Sequence, residues 1–136
     1  MITLKEAEKF HGHLGPYLVL GLLAGKLALR ELGAKKYFGL DVKVYGANKK
    51  PKSCLIDGLQ LSTGATYGKG NIVKFNGSMI KLEFYNRSNH KKAVIKFRNG
   101  LIEKLNAART HKDSELLAKE LFKSDYKNIF HLATRS

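Results

Sequence analysis

The chain has 136 residues, a length that suits one compact domain. Hydrophobic residues make up 43% of it and charged residues 26%, values that exclude a disordered tail and a fibrous repeat. The unusual figure is the charge, since 25 Lys and Arg against 11 Asp and Glu leave a formal net charge of +14. This balance makes nucleic acid, small anions and acidic protein surfaces the first partners to consider.

The single cysteine, Cys54, allows no internal disulfide, which favours a reducing compartment. The longest apolar run, residues 14–25, is too short to span a bilayer, which takes about 20 residues. The segment before it carries Glu6 and Glu8 instead of the basic start of a signal peptide. We therefore expect a soluble, cytoplasmic protein without a membrane segment.

The first third of the chain predicts two helices. Thr3 and Glu6 have the spacing of a capping box, which predicts a short helix that runs to about residue 10. Pro16 suits the first turn of a second helix, and Gly33 is a natural stop signal. Apolar residues lie nearly all round this second helix, so we expect it to be central and buried.

The rest of the chain predicts strands and then helices. Val42 and Val44 alternate with polar neighbours, and residues 71–98 predict a three-stranded antiparallel meander with a hairpin turn at Asn76-Gly77. Gly100 opens a further helix, and Asp113 or Ser114 caps the last one. The predicted fold class is α+β, a central buried helix and flanking helices packed on an antiparallel β-meander, in one domain over residues 1–136.

The positive charge is concentrated in the β-rich part. Residues 34–112 contain 17 Lys and Arg against four Asp and Glu, a net charge of +13. The strand lysines are dispersed, as expected for a solvated outer sheet face: Lys43, Lys74, Lys81 and Lys96. Because no predicted helix carries a basic stripe, a nucleic-acid partner is disfavoured.

A first candidate site is the histidine pair in Phe10-His11-Gly12-His13-Leu14-Gly15-Pro16, at the junction of the two predicted helices. Histidines at i and i+2 diverge by about 200° on a helix, but they can converge in a turned segment. Imidazole is the commonest metal ligand and a frequent general acid–base. A pair near a helix start is also compatible with capping or with a plain surface position.

A second candidate is Cys54-Leu55-Ile56-Asp57, where Pro51 and Ser53 predict Cys54 in the first turn of a helix. The helix dipole and Lys52 would favour the thiolate there, with Asp57 on roughly the same face. A thiolate, two imidazoles and a carboxylate are the donors of a zinc site that keeps one position open. The alternative is that Cys54 is a small buried hydrophobe.

The third feature is the glycine-rich stretch Thr63-Gly64-Ala65-Thr66-Tyr67-Gly68-Lys69-Gly70-Asn71. Its spacing differs from that of a phosphate-binding P-loop. Its free amides and Lys69 could hold an anion, and a plain connection from helix to strand is the equal alternative.

Taken together, FHGHLGPYLVLGLLAGKLA (residues 10–28) and CLIDGLQLSTGATYGKGNI (residues 54–72) resemble the E-subunit family of formylmethanofuran dehydrogenase. The resemblance covers the core domain of that family over nearly the whole chain. It implies an α+β core, a homodimer with shared elements, and a metal site that is most often zinc.

The resemblance also implies roles for single residues. His11, His13 and Cys54 are the implied metal ligands, and Asp57 is a ligand or the partner of one. Cys54, His13 and Asp57 are the implied catalytic residues. The residues implied to line the cofactor or substrate pocket are Gln60, Thr63, Gly64, Thr66 and Lys69.

Two departures from the family pattern restrict its chemistry here. Many members carry a C-terminal zinc ribbon with Cys-x-x-Cys pairs, whereas this sequence has one cysteine. Some relatives have a cysteine at the position of Gly15, so thiol-pair redox chemistry is not expected here. One cysteine also cannot hold an iron–sulfur cluster, so any part in formylmethanofuran dehydrogenase would be that of an accessory subunit.

The leading hypothesis is a zinc-binding domain of the E-subunit type, whose pocket takes a small anionic substrate or performs metal-assisted chemistry. It could act alone or with a larger enzyme. The alternative is a non-catalytic regulatory or assembly partner that docks an acidic protein through its basic sheet face. Nucleic-acid binding is the third and disfavoured hypothesis.

Overall fold

The computed structural model describes residues 2–136. Helix α1 (Leu4–His11) begins at Thr3, whose side chain accepts a hydrogen bond from the Glu6 amide at 3.1 Å while the Glu6 carboxylate accepts one from the Thr3 amide. The predicted capping box is confirmed. Gly12 ends the helix with a φ of 104°, a left-handed conformation that glycine adopts without strain, and turns the chain toward the next helix.

Helix α2 (Pro16–Leu32) is the central, buried helix that the sequence predicts. Pro16 lies in its first turn and Gly33 ends it in the left-handed conformation. Helix α3 (Cys54–Thr63) packs against α2 at very short backbone distance. A Cβ atom at Gly21 would lie 2.3 Å from the Leu55 carbonyl oxygen, and one at Gly58 would lie 2.2 Å from that of Leu18.

A five-stranded mixed sheet packs on the other side of α2. Its strands are β1 (Leu40–Tyr45), β2 (Ile72–Phe75), β3 (Lys81–Asn86), β4 (Lys92–Phe97) and β5 (Phe130–Arg135), in the order β2-β1-β3-β4-β5. Strands β1 and β2 are parallel and are joined through α3, while the other neighbours are antiparallel. The predicted α+β class is therefore confirmed.

The predicted hairpin at Asn76-Gly77 is wrong. Strand β2 pairs with β1, and β1 lies between β2 and β3. Burial explains the order, because β1 buries three side chains, Leu40, Val42 and Val44, and so gains a strand on each edge, whereas β2 buries Ile72 alone and takes the edge of the sheet. The side chain of Asn76 bonds that of Asn48 instead of closing a two-residue turn. The antiparallel pairing of β3 with β4 follows the prediction.

The C-terminal third contains helix α4 (Asn99–Ala107), helix α5 (His111–Phe122) and a 3₁₀ turn (Tyr126–Asn128) before β5. The predicted cap at Asp113 or Ser114 is wrong, because Thr110 caps α5 by accepting a hydrogen bond from the Asp113 amide at 3.0 Å. The sequence also predicts that the last element of the chain is a helix. The structure adds β5, whose Phe130 pairs with Phe97 of β4.

Along the described chain, 2–136, none of the helices is both long and apolar enough to cross a membrane. Buried side chains from α2, α3, α4 and α5 and from all five strands meet in one hydrophobic core around α2. This arrangement brings the starts of α2, α3 and α5 to the same end of the molecule, where the candidate site residues lie.

Candidate functional site

The most specific contact of the site joins the two sequence motifs. His11, at the end of α1, places its Nδ1 atom 2.5 Å from Oδ2 of Asp57 in α3. The side chain of His11 is 11% exposed and that of Asp57 is 35% exposed, so the pair is mostly shielded from water. The other ring nitrogen of His11, Nε2, is buried and has no hydrogen-bond partner among the described residues.

His13 lies beside His11, because the left-handed Gly12 turns the chain back between them. The two ring centroids are 4.7 Å apart, so the histidine pair does converge. A Cβ atom at Gly15 would lie 3.3 Å from Nε2 of His13, which shows that the ring folds over the start of α2. Desolvation lowers the pKa of His13, and the neighbouring His11 and His111 lower it further, which favours the neutral imidazole.

Cys54 is the first residue of α3, as predicted, and is half-buried. The prediction that helix dipole and Lys52 favour its thiolate is not supported. Burial raises the pKa of the Cys54 thiol, and the Asp57 carboxylate one helical turn away raises it further against a weaker opposing effect of Lys50. In the metal-free chain, the thiol therefore keeps its proton.

His13 and Cys54 line one pocket of about 210 Å³, which we call the helix-end pocket. Its walls come from the starts of three helices: residues 15–18 of α2, Cys54 of α3, and residues 110, 111 and 114 at the start of α5. Neither Gly15 nor Ser53 caps its helix with a side-chain hydrogen bond. The first amides of α3 donate to the carbonyls of residues 51–53, and Thr110 caps α5, so within residues 2–136 the start of α2 is the uncapped helix end at this pocket, and it favours an anion there.

The sequence interpretation missed two members of this pocket, Arg109 and His111. The ring centroid of His111 is 6.5 Å from that of His13. Arg109 adds a permanent cation to the wall. The signal that could have found them is the Thr-x-x-Asp pattern of residues 110–113, which is typical of a helix start and so places His111 in a first turn.

The five residues implied to line the cofactor or substrate pocket lie at the opposite end of α3. Gln60 Oε1 accepts from the Tyr67 amide at 3.1 Å, and buried Thr63 donates to the Leu59 carbonyl at 2.6 Å. Gly64 ends the helix in the left-handed conformation.

Lys69 turns its ammonium group back onto its own loop. The group bonds the Gly64 carbonyl, contacts Thr66 Oγ1 at 3.4 Å, and lies 5.3 Å from the ring centroid of Phe38. The structure thus places the five residues in the last turn of α3 and in the connection from α3 to β2, and the lining of the helix-end pocket includes none of them.

The donor chemistry of the motifs fits zinc. His11 offers a free, buried Nε2 whose ring is oriented by a carboxylate, the arrangement typical of a metal-bound histidine. His13 is adjacent and favours the neutral form. In the described range 2–136, however, no three His, Cys, Asp or Glu side chains cluster closely enough to enclose an ion. The structure therefore shows a histidine pair suited to a metal, with Cys54 in the neighbouring pocket.

Fold and site together define a small α+β domain with a histidine–carboxylate pair and a cysteine at its helix ends. The family described as "FmdE, Molybdenum formylmethanofuran dehydrogenase operon" matches residues 10–132, which is most of the chain. The chain belongs to this family. The resemblance carried by the two motifs is thereby confirmed.

Two individual proteins extend the comparison. A crystal structure of an FmdE-like protein from Syntrophus aciditrophicus, named for tungsten formylmethanofuran dehydrogenase, superposes with a TM-score of 0.64 at 19% identity, over 97% of this chain and 69% of that one. A "Probable S-adenosyl-L-methionine-binding protein" of Archaeoglobus fulgidus is 32% identical over 74 residues. That match covers 52% of this chain and 19% of the relative, so the chain spans about a fifth of the curated protein.

Proposed function

We propose that this FmdE-family chain binds zinc through His11, His13 and Cys54 and takes a small anion in the adjoining helix-end pocket. The observation that carries the proposal is the His11 ring, with Nδ1 held by Asp57 and Nε2 buried without a partner among residues 2–136. A neutral imidazole carries its proton on one nitrogen, and Asp57 accepts that proton's hydrogen bond at Nδ1. Nε2 then presents a lone pair whose burial costs free energy unless it finds a ligand.

Asp57 and the proposed ligands contribute to the metal site in different ways. Asp57 fixes the orientation of the His11 ring, as outer carboxylates do at metal sites. His13 favours its neutral form, so it needs little deprotonation to bind a metal. Cys54 keeps its proton in the metal-free chain and releases it when a cation is bound. Zinc, when bound, supplies a Lewis acid that can polarise a carbonyl or acidify a water molecule.

The pocket itself favours a small anion. Arg109 and His111 line it, and the first-turn amides of α2 face it without a side-chain cap at Gly15. A volume of about 210 Å³ suits a small molecule. Arg109, His111 and the first-turn amides of α2 would hold the anionic group. Two of the proposed metal ligands, His13 and Cys54, line the same pocket. The pocket residues implied by the family resemblance lie outside this space: Gln60, Thr63, Gly64, Thr66 and Lys69.

A second candidate role is that of a partner to a larger enzyme. The family description names the formylmethanofuran dehydrogenase operon, and the similar protein from Syntrophus aciditrophicus is described as FmdE-like. Both observations support an accessory subunit. A homodimer, which the family resemblance implies, belongs to the same proposal.

Metal analysis of the purified full chain tests the zinc site. We expect about one zinc per wild-type chain and a loss of most of it in His13→Ala and in Cys54→Ala. His131→Ala is the matched control, because His131 is an exposed imidazole of β5 on the far side of the sheet. Undiminished, stoichiometric zinc in both site variants would overturn the proposal.

A further inference from the structure

One face of the five-stranded sheet packs on the core and the other is bare. Side chains alternate along each strand, so every second residue points away from α2. These outward residues are half-buried or exposed, and on β1, β3 and β4 they alternate with buried neighbours. We call the outward residues of the sheet the open face: Asp41, Lys43, Tyr45, Val73, Phe75, Lys81, Glu83, Tyr85, Lys92, Val94, Lys96, His131, Ala133 and Arg135.

The open face carries a net positive charge. It carries five cations, and both of its carboxylates are neutralised by basic neighbours. Glu83 lies 3.3 Å from Lys81 Nζ and 3.5 Å from Lys92 Nζ. Asp41 lies 3.1 Å from Arg87 Nε. Within residues 2–136, the ion pairs leave Lys43, Lys96 and Arg135 unmatched, and all three are exposed.

The face also has a concave part. A depression of about 480 Å³ crosses β3, β4 and β5. Two small apolar residues, Val94 and Ala133, lie in its middle row beside the ion-paired Glu83, and the cations Lys81, Lys92, Lys96 and Arg135 flank that row. Protein–protein contacts commonly combine a small apolar patch with a charged rim.

We propose that the open face is a docking surface for an acidic protein. Charge complementarity sets the partner's sign, because the unmatched cations attract carboxylates and repel a second copy of the same basic face. The inference gives a surface to the second candidate role, that of a partner to a larger enzyme, and it rests on that role. It does not depend on the zinc site.

Neighbouring side chains engage both tyrosines of the face, Tyr45 and Tyr85, which argues for a protein over a nucleic acid. Single-stranded nucleic acids stack their bases on open aromatic rings. Here Tyr45 is stacked on Phe75 with ring centroids 5.0 Å apart, and Lys81 Nζ lies 4.5 Å from the Tyr45 centroid. The hydroxyl of Tyr85 is 2.7 Å from Nδ1 of His90. The Tyr45 ring is thus already occupied by neighbours.

The test uses two probes of similar charge, a 20-residue poly-L-glutamate and a 20-nucleotide single-stranded oligothymidylate, each titrated into the full chain at low salt. The sheet variant is Lys43→Gln/Lys96→Gln/Arg135→Gln. The control is Lys104→Gln/Lys119→Gln/Lys123→Gln. It removes three exposed cations from the helices α4 and α5, including the residue that follows α5, and so has the same net charge as the sheet variant. We expect the sheet variant to bind poly-L-glutamate at least fivefold more weakly than wild type, and the control less than twofold more weakly.

Three results would overturn the proposal: no binding of poly-L-glutamate by wild type, equal weakening in both variants, or at least tenfold tighter binding of the oligonucleotide at the same face. Amide chemical-shift changes confined to the strands of the sheet would support it. Lys96→Gln alone provides a second, milder variant if the triple variant is poorly folded. Zinc content is measured in parallel, so a failure of docking with normal zinc separates this inference from the metal site.

Discussion

His11 and Asp57 lie 46 residues apart in the chain, yet the Nδ1 atom of His11 is 2.5 Å from the Oδ2 atom of Asp57. This contact ties the end of α1 to the first half of α3, and so links the two motifs of the sequence. It leaves Nε2 of His11 buried and, within the described chain, unpartnered. The pair thereby combines a contact between two helices with a buried imidazole nitrogen that, in the described chain, has no hydrogen-bond partner.

Asp57→Asn tests the orienting role of this carboxylate. An amide preserves the shape of the side chain but lacks the negative charge that faces the Nδ1 atom of His11. We expect zinc affinity to fall about 10–100-fold, the usual effect of losing such an outer partner. Competition with a chromophoric chelator measures it. Asp41→Asn, on the sheet, is the control, and an unchanged zinc affinity in Asp57→Asn would contradict the assignment.

The lowered pKa of His13 predicts a dependence of stability on pH. The unfolded chain binds the proton with the ordinary pKa of 6.5, and the folded chain binds it at lower pH. The contribution of His13 to the free energy of unfolding is therefore complete above pH 6.5 and is lost as the pH falls through the folded value. We therefore expect the free energy of unfolding of the zinc-free protein to fall less between pH 8 and pH 5 in His13→Gln than in wild type. Urea denaturation at each pH measures it.

Nuclear magnetic resonance gives the same prediction at the level of the ring. The His13 signal should titrate below 6.5, and His111→Gln should raise its pKa because a neighbouring imidazole is removed. A titration at or above 6.5 in wild type would refute the effect. His131→Gln controls for loss of an imidazole elsewhere.

The close crossing of α2 and α3 predicts a sensitive glycine. In Gly58→Ala, the new methyl group would meet the Leu18 carbonyl oxygen at 2.2 Å and Gly21 Cα at 2.8 Å, both backbone atoms. We expect a loss of about 2 kcal/mol in the free energy of unfolding and weaker zinc binding, since α3 carries Cys54 and Asp57. Gly100→Ala has open space in α4 and should gain roughly 0.5–1 kcal/mol. Equal stability of the two variants would contradict the packing argument.

Two basic residues should behave in opposite ways toward an anion. Arg109 lines the helix-end pocket, whereas Lys69 bonds its own loop. We expect Arg109→Gln to weaken the binding of inorganic phosphate at least fivefold, and Lys69→Gln to change it less than twofold, by isothermal titration calorimetry. A larger loss of phosphate affinity in Lys69→Gln than in Arg109→Gln would contradict this and would place the anion site at the glycine-rich turn.

The fold could be predicted where signals are local. Thr3 with Glu6, Pro16 and Gly33 mark helix ends through contacts a few residues long, and the structure places those ends accordingly. Strand order could not be predicted, because the edge position of β2 depends on what β1 buries and on α3 crossing between them. The close crossing of α2 and α3 did have a signal, a four-residue spacing of small residues on each helix: Gly21 and Gly25 on α2, and Gly58 and Ser62 on α3.

The site shows the same division. The histidine pair and the first-turn position of Cys54 follow from the motifs, because each is set by its own turn. The Thr-x-x-Asp pattern marks the start of α5, but the contact of His11 with Asp57 and the position of Arg109 and His111 at the pocket depend on how distant helices pack. The raised pKa of Cys54 has the same origin, since burial is a property of the folded chain.

X-ray absorption at the zinc edge tests the central claim most directly. In the zinc-loaded wild-type chain, we predict one sulfur ligand at about 2.3 Å and imidazole nitrogens at about 2.0 Å. Cys54→Ser should remove the sulfur contribution, and His13→Ala should reduce the imidazole one. A shell of oxygen ligands alone, unchanged in both variants, would contradict a zinc site built on His11, His13 and Cys54.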